Sequence, residues 1–399
     1  MPRSTPASET TGKVVDRVAG TFADLFTGPP AGTWSAPGRV NLIGEHTDYH
    51  GGLVLPIALP QRTWAASRRR EDDIVRVHSM TLGRTDEVDL AEVGPGSPPG
   101  WLGYVAGVVW SLREDGHQVS GLDAVIASTV PLGAGLSSSA ALECAVGAAT
   151  SDLFDLGLME DDAARRRLVA ACMRAENEVA GAATGGMDQS AALLCRAGHA
   201  LYLDCRTGHV EHVPFDLAGH GLALVVTDTR AAHTLADGQY GSRRRASERA
   251  AAALGVSSLR DVAPADLPRA LGVIDDRELV RRARHVVTEI DRVRAAVVAL
   301  RSADFDAVGG LFDDSHRSLR DDYEVSCPEL DVAVEAARAA GALGARMTGG
   351  GFGGSTIALV PTSAVEQVSG RIAHEFERRG WDEPVSFAVT AQGAARRDA

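Results

Sequence analysis

Residues 38 to 52, GRVNLIGEHTDYHGG, crowd hydrogen-bonding side chains into one short loop. Arg39, Asn41, Glu45, His46, Thr47, Asp48 and Tyr49 all fall inside it, and the strand-like run LVLPIAL follows at once. A solvated turn needs only a glycine, an asparagine or a proline. Carboxylate, imidazole and hydroxyl groups at this density suit a surface that reads several hydroxyls of a sugar or polyol, matching donor to acceptor. Metal binding is another use for Glu, His and Asp together, but Glu45-His46-Thr47-Asp48 does not have the spacing of a strong metal signature.

A glycine-rich stretch, PLGAGLSSSAALECAV (131–146), places Gly133, Ala134, Gly135 and Leu136 ahead of Ser137, Ser138 and Ser139, which open a helix. Glycine lets the backbone approach a ligand, and a helix N-terminus offers free N–H groups and a positive dipole end. A phosphate cradle fits this pattern, and a well-capped helix after a tight turn fits it too. TGGGFGGST (348–356) formally contains G-x-G-x-x-G, yet it leads into the strand STIALV. The dinucleotide fingerprint must lead from strand to helix, so that reading is disfavoured. A glycine hairpin pressed against a ligand accounts better for five glycines among six residues.

Two carboxylates stand in unusual places. Glu176 continues the i, i+4 series Leu168, Cys172, Glu176, Ala180, so a helix would set it in an apolar stripe. A desolvated carboxylate needs a cation or donors. The simplest partner is one of the many arginines at a helix edge. Asp188, in ATGGMDQSAALL, follows a Gly-Gly turn, where it could serve as a helix N-cap or point into a site.

The elements that must position these groups belong to a chain of 399 residues with 45% hydrophobic content. That length suggests two domains. No apolar run approaches the roughly 18 residues a membrane span requires. The N-terminal residues lack the apolar stretch of a signal peptide. Five scattered cysteines without a C-x-x-C pair suit reduced thiols in the cytoplasm and supply no metal framework. A net charge of −13 argues against nucleic acid or an anionic membrane as partner. Lys13 is the only lysine. Its peripheral position disfavours mechanisms built on a central lysine, such as the Walker A loop, the protein-kinase strand lysine and the pyridoxal Schiff base.

Periodicity predicts an amphipathic helix over 12–26 and strands near 32–44, 52–59, 63–69 and 74–79. A helix over 101–116, a strand at 122–128 and helices over 137–156 and 160–181 follow. A hairpin at 200–215 and a buried strand at 222–229 come next. Helices dominate 242–342, and three strands with a helix near 363–379 end the chain. The mixture indicates α+β with a boundary near residue 216, giving domains 1–216 and 217–399.

Together these segments resemble the galactokinases, a branch of the GHMP small-molecule kinases. PGRVNLIGEHTDYHGGLVLP (37–56) resembles their signature, PLGAGLSSSAALE (131–143) the phosphate loop and TGGGFGGS (348–355) the third motif. GGMDQ (185–189), LADGQYGSRRR (235–245), RARHVVTE (282–289) and SLRDDYEVSCPELD (318–331) add to the match. His50 stands where many relatives have Asn, and Ala183-Thr184 replaces a Cys-bearing pair. The implied fold is an N-terminal ribosomal-S5-like α/β domain and a C-terminal ferredoxin-like α+β domain, with the active site between them.

The resemblance implies transfer of the ATP γ-phosphoryl group to the C1 hydroxyl of α-D-galactose. It assigns Glu45, His46, Asp48 and Tyr240 to the sugar, with Thr47 in the same loop and Gly185 beside them. Gly133 through Ser139 would cradle the nucleotide phosphates, and Ser79 would meet the adenine side. Ser139 and Glu176 would hold Mg²⁺. Asp188 would accept or orient the hydroxyl proton, with Arg39 as the positive residue beside it. A cytoplasmic monomer acting on galactose and ATP is the expectation. Alternatives are a kinase for N-acetylgalactosamine or arabinose, or an inactive sugar sensor.

Overall fold

The computed structural model describes residues 10–182, 184–231 and 236–399. Ala183 and Leu235, both in segments of the resemblance, lie outside the described residues. The strands are β1 (Gly32–Asn41), β2 (Leu53–Val54), β3 (Pro56–Arg69), β4 (Ile74–Ser79), β5 (Arg84–Asp89), β6 (Leu122–Ser128), β7 (His199–Asp204), β8 (His209–Pro214), β9 (Leu222–Asp228), β10 (Gly344–Thr348), β11 (Ser355–Pro361), β12 (Val385–Val389) and β13 (Arg396–Arg397). The helices are α1 (Thr11–Phe26), α2 (Trp101–Glu114), α3 (Ser138–Leu153), α4 (Asp162–Arg174), α5 (Met187–Leu194), α6 (Ala236–Ala253), α7 (Leu267–Leu271), α8 (Arg277–Arg301), α9 (Phe305–Ser318), α10 (Pro328–Ala339) and α11 (Val365–Glu377).

A six-stranded sheet in the order β13-β1-β3-β6-β4-β5 forms the first layer. Period-2 alternation sends Trp64 to one face and Ala65 to the other. Helix α1 covers the Trp64 face with Val14, Val18, Phe22 and Phe26, four side chains at i, i+4 spacing. Each fully buried apolar side chain of this kind contributes on the order of 1.5–3 kcal/mol. Helices α2 to α5 cover the other face around Val105, Cys144, Leu168 and Leu193.

A four-stranded antiparallel sheet, β10-β11-β9-β12, carries the second half. Helices α10 and α11 pack Val334 and Phe376 against its Val225 and Ala358 face. The opposite face, with Leu224, Val226 and Met347, meets α8 and α9 and also Val40, Leu42 and Ile43 beside the polar loop. One apolar core therefore joins the two halves directly beneath that loop.

The expected strands at 52–59 and 63–69 are instead one short strand and one long one, β2 and β3. Pro60 lies within β3. It sits opposite the register shift between Pro37 and Arg39, where a residue without an N–H costs no ladder bond. The helix expected to reach residue 181 ends at Arg174 and passes into a π-type turn over Ala175–Val179. Strands β5 and β13 had no counterpart in the periodicity. The sheets change between β8 and β9, but β13 crosses back to pair with β1.

Candidate active site

A cavity of about 500 Å³ opens between the two halves, lined among others by Arg39, Glu45, His46, Asp48, Asp188 and Tyr240. Arg39 stands at the β1 bulge and is 6% exposed. Its Nε donates to Asp188 Oδ1 at 2.7 Å and its Nη2 to Asp188 Oδ2 at 2.8 Å, while Nη1 donates to the Gly135 carbonyl at 2.7 Å. Such a bidentate grip is the strong geometry for guanidinium and carboxylate. Ser137 Oγ donates to the same Asp188 Oδ2 at 2.5 Å. The N-cap of α5 is Gly186, so Asp188 does not cap the helix but points its carboxylate at Arg39 and the serine loop.

The loop from 131 to 139 has the conformation its glycines allow. Gly133 and Gly135 take φ of 74° and 71°, and Ser137 at the start of α3 takes 60°. Ala134 and Leu136 turn their side chains into the core, each residue 1% exposed. The third glycine loop braces this one: a Cβ added to Gly349 would lie 2.9 Å from the Gly135 carbonyl. Ser355 Oγ donates to the Ala134 carbonyl at 2.7 Å. The hairpin reading of TGGGFGGST holds, since β10 and β11 flank the loop.

Within the polar loop the side chains divide. Asp48 and His46 line the cavity. Burial first, and then the nearby Asp188 charge, push the Asp48 carboxyl up to about 6. Gly185 presses on it so closely that an added Cβ would stand 2.5 Å from Asp48 Oδ2. His46, at φ 63°, shares hydrogen bonds with Tyr49 Oη at 2.8 Å and the Gly350 carbonyl at 3.2 Å. Burial, reinforced by His285, lowers it to about 3, so it is neutral.

Glu45 accepts from Asn41 Nδ2, Arg346 Nη2, Thr348 Oγ1 and the Gly349 N–H. Burial nonetheless raises its carboxyl, with Arg346 opposing. Thr47, expected at the sugar, is fully buried and spends its hydroxyl on the Gly44 and Leu53 carbonyls. Its place is inside the loop rather than on the cavity wall, because a tight turn around Gly52 needs those carbonyls satisfied. Tyr240 stands across the cavity, its ring 5.3 Å from that of His46. Ser79 is 6% exposed at the end of β4, accepts from the Leu82 N–H and is not among the residues lining the cavity.

Among the described residues, no arginine pairs with Glu176. Ser139 Oγ at 3.0 Å, Thr184 Oγ1 at 3.1 Å and Gln189 Nε2 at 2.5 Å donate to it, all neutral groups. Burial first, then the Asp188 charge, raise it to about 7. A buried carboxylate without a cationic partner, set beside a serine hydroxyl, has the hard oxygen chemistry that Mg²⁺ takes. The residues present therefore fit that ion. Sequence reasoning did not single out Arg346, Tyr323, Glu143 or Gln189. The i, i+4 spacing of Ser139 and Glu143 was the available signal for one of them.

The GHMP kinases N terminal domain model matches residues 103–196 and the GHMP kinases C terminal model residues 296–378. A mevalonate kinase from Methanococcus jannaschii shares the fold, with TM-score 0.65 over 92% of this chain and 100% of its own at 16% identity. These define a GHMP kinase. The galactokinase galactose-binding signature matches residues 20–69. A Streptomyces coelicolor galactokinase is 50% identical over 389 residues, 96% of this chain and 99% of the relative. The Homo sapiens galactokinase is 44% identical over 94% of each chain. A Lactococcus lactis galactokinase, solved in complex with galactose, superposes with TM-score 0.90 at 33% identity, covering 96% of this chain and 100% of its own. The chain belongs to the galactokinase family.

Proposed function

We propose that this cavity transfers the γ-phosphoryl group of ATP to the C1 hydroxyl of α-D-galactose, giving α-D-galactose 1-phosphate and ADP. The observation that carries the site assignment is the convergence of Arg39, Asp188 and Ser137 at one wall of the cavity. There a sugar hydroxyl and a phosphate held by the 131–139 loop would meet. Phosphoryl transfer depends mainly on positioning and charge stabilisation. Asp188 orients or accepts the hydroxyl proton, and Arg39 supplies fixed positive charge beside it. Asp48, His46 and Tyr240 offer the polar edges against which the sugar is held, with Glu45 behind them.

Ser139 and Glu176 are the residues that would hold Mg²⁺. That ion, when bound, neutralises the phosphate charge. The N-terminus of α3 and the N–H groups from Gly133 to Ser139 add to the positive potential. Ser79 stays an adenine-side assignment of the resemblance. We divide the chain at residue 216, with β13 crossing back, and read it as a cytoplasmic monomer. No helix among the described residues is long and apolar enough to cross a membrane.

Incubation with ATP, Mg²⁺ and a panel of free sugars, with NMR identification of any sugar phosphate, tests the reading. Galactose should be the best substrate, phosphorylated at C1. Phosphate at C6, a preference for N-acetylgalactosamine or arabinose, or no turnover at all would each overturn it.

A further inference from the structure

Behind Glu176 lies a second acid that the phosphoryl transfer does not use. Glu143 on α3 is 0% exposed, one helical turn after Ser139. Its Oε2 accepts from Gln189 Nε2 at 2.9 Å. The same amide nitrogen donates to Glu176 Oε2 at 2.5 Å. Gln189 is itself 0% exposed and immediately follows Asp188 on α5. Glu143 Oε1 and Gln189 Oε1 are both buried without a partner among the described residues.

An amide nitrogen has two hydrogens and no more. Here one goes to each carboxyl group, so the Gln189 side chain is held through both hydrogens of its amide nitrogen and cannot rotate without breaking one bond. Leaving a buried donor unmet is costly, so both bonds favour this one orientation of the amide. Glu176 meanwhile comes from a π-type turn, an irregular stretch whose side-chain aim is set by its contacts rather than by helix repetition.

We propose that Gln189, braced by Glu143, is a positioning residue that aims Glu176 at Ser139 and thereby sets the affinity of the site for the divalent cation accompanying the nucleotide. This rests on the reading of Glu176 as a metal ligand. Partners behind a ligating side chain fix its orientation, and removing them typically weakens metal binding by about 10–100-fold.

Two features support a neutral brace. The Glu143 carboxyl is raised well above its usual range, by burial first and then by the Glu176 charge. A carboxylic acid there can also donate through its O–H, and the partnerless Gln189 Oε1 is an acceptor of the right kind. Glu143 thus serves without adding a second buried charge beside Glu176. Because α3, the π-type turn and α5 each contribute one member, the arrangement ties the serine loop, the metal ligand and Asp188 into one rigid unit.

The test uses Mn²⁺ as the probe, its binding to the protein–ADP complex read from loss of the free-ion EPR signal, with galactose affinity by calorimetry in parallel. Gln189→Met and Glu143→Met should each weaken Mn²⁺ binding about tenfold or more. Galactose affinity should change less than about twofold, since neither residue is among those lining the cavity. Glu143→Gln, neutral and of the same shape, should restore Mn²⁺ affinity to within about threefold of wild type. If a Met variant does not fold, Gln189→Asn, which withdraws the amide by one methylene, gives the same reading. Unchanged Mn²⁺ affinity in the Gln189 and Glu143 variants, with Glu176→Gln weakened, would overturn the positioning role alone. Unchanged affinity in Glu176→Gln would overturn the metal reading beneath it.

Discussion

Arg39 and Asp188, far apart in sequence, meet through two parallel hydrogen bonds of 2.7 and 2.8 Å at the cavity wall. Ser137 closes on the same carboxylate, and the remaining Arg39 nitrogen holds the Gly135 carbonyl. The acid expected at the sugar hydroxyl and the turn expected at the phosphates are therefore held by one guanidinium. Their relative position is set before any ligand arrives, which is what a reaction driven by positioning requires.

Asp188→Asn should leave the fold intact, because the amide keeps one acceptor for Arg39, while kcat falls by about 10²–10⁴-fold. Melting temperature and steady-state rates on galactose check both halves. A kcat near wild type would reduce Asp188 to a packing residue.

Arg39→Lys should also lose most turnover. An ammonium is a single point of charge and cannot span Asp188 and the Gly135 carbonyl together. Equal rates in wild type and variant, measured at saturating ATP and galactose, would remove Arg39 from the chemistry.

For Glu176→Gln we expect normal folding and galactose binding but a raised Mg²⁺ requirement and a sharply lower rate. The amide keeps the shape and loses the charge that attracts a hard cation. Ser139→Ala should shift the same dependence more mildly. Titrating activity against Mg²⁺ at fixed ATP separates them, and identical half-saturation for Glu176→Gln and wild type would contradict the assignment.

Gly185→Ala places a methyl 2.5 Å from Asp48 Oδ2. The carboxylate must move, and so must the loop backbone at Tyr49 N, 2.7 Å from the same methyl, so KM for galactose should rise several-fold while KM for ATP holds. Equal changes in both constants would point to general disruption instead.

Burial and Arg244 lower His50 to about 3, against about 6.5 in an unfolded chain. Below pH 6.5 the unfolded chain takes up a proton that the folded chain refuses. The stabilisation is thus complete above pH 6.5 and is lost as pH falls towards 3. Asp48, raised to about 6, acts in the opposite sense: its contribution is complete below about 3.8 and lost as pH rises through 6. A difference measurement isolates the histidine. The stability of wild type relative to His50→Asn should fall by about 1.4 kcal/mol per pH unit between pH 6 and 4. Urea unfolding of both proteins at several pH values checks this, and parallel curves would contradict it.

What the sequence determined by itself was local. The spacing of Val14, Val18, Phe22 and Phe26 is a helix with one apolar face whatever it packs against. The glycines at 133 and 135 demand backbone that other residues avoid, and their positive φ values follow. The resemblance named Arg39, Glu45, His46, Asp48, Asp188 and Tyr240 of the cavity wall on the same footing, through short contiguous motifs. The tertiary structure alone decided which charges go unpaired and which side chains face inward. Nothing near Glu176 in sequence excluded an arginine partner; the fold surrounds it with Ser139, Thr184 and Gln189 instead. Thr47 reads as polar as its neighbours, yet the turn at Gly52 consumes its hydroxyl. Arg346 reaches Glu45 across 301 residues, and β13 crosses back to β1 from the far end of the chain. Burial and long-range pairing depend on which surfaces the folded chain brings together, and no short window of sequence contains both partners.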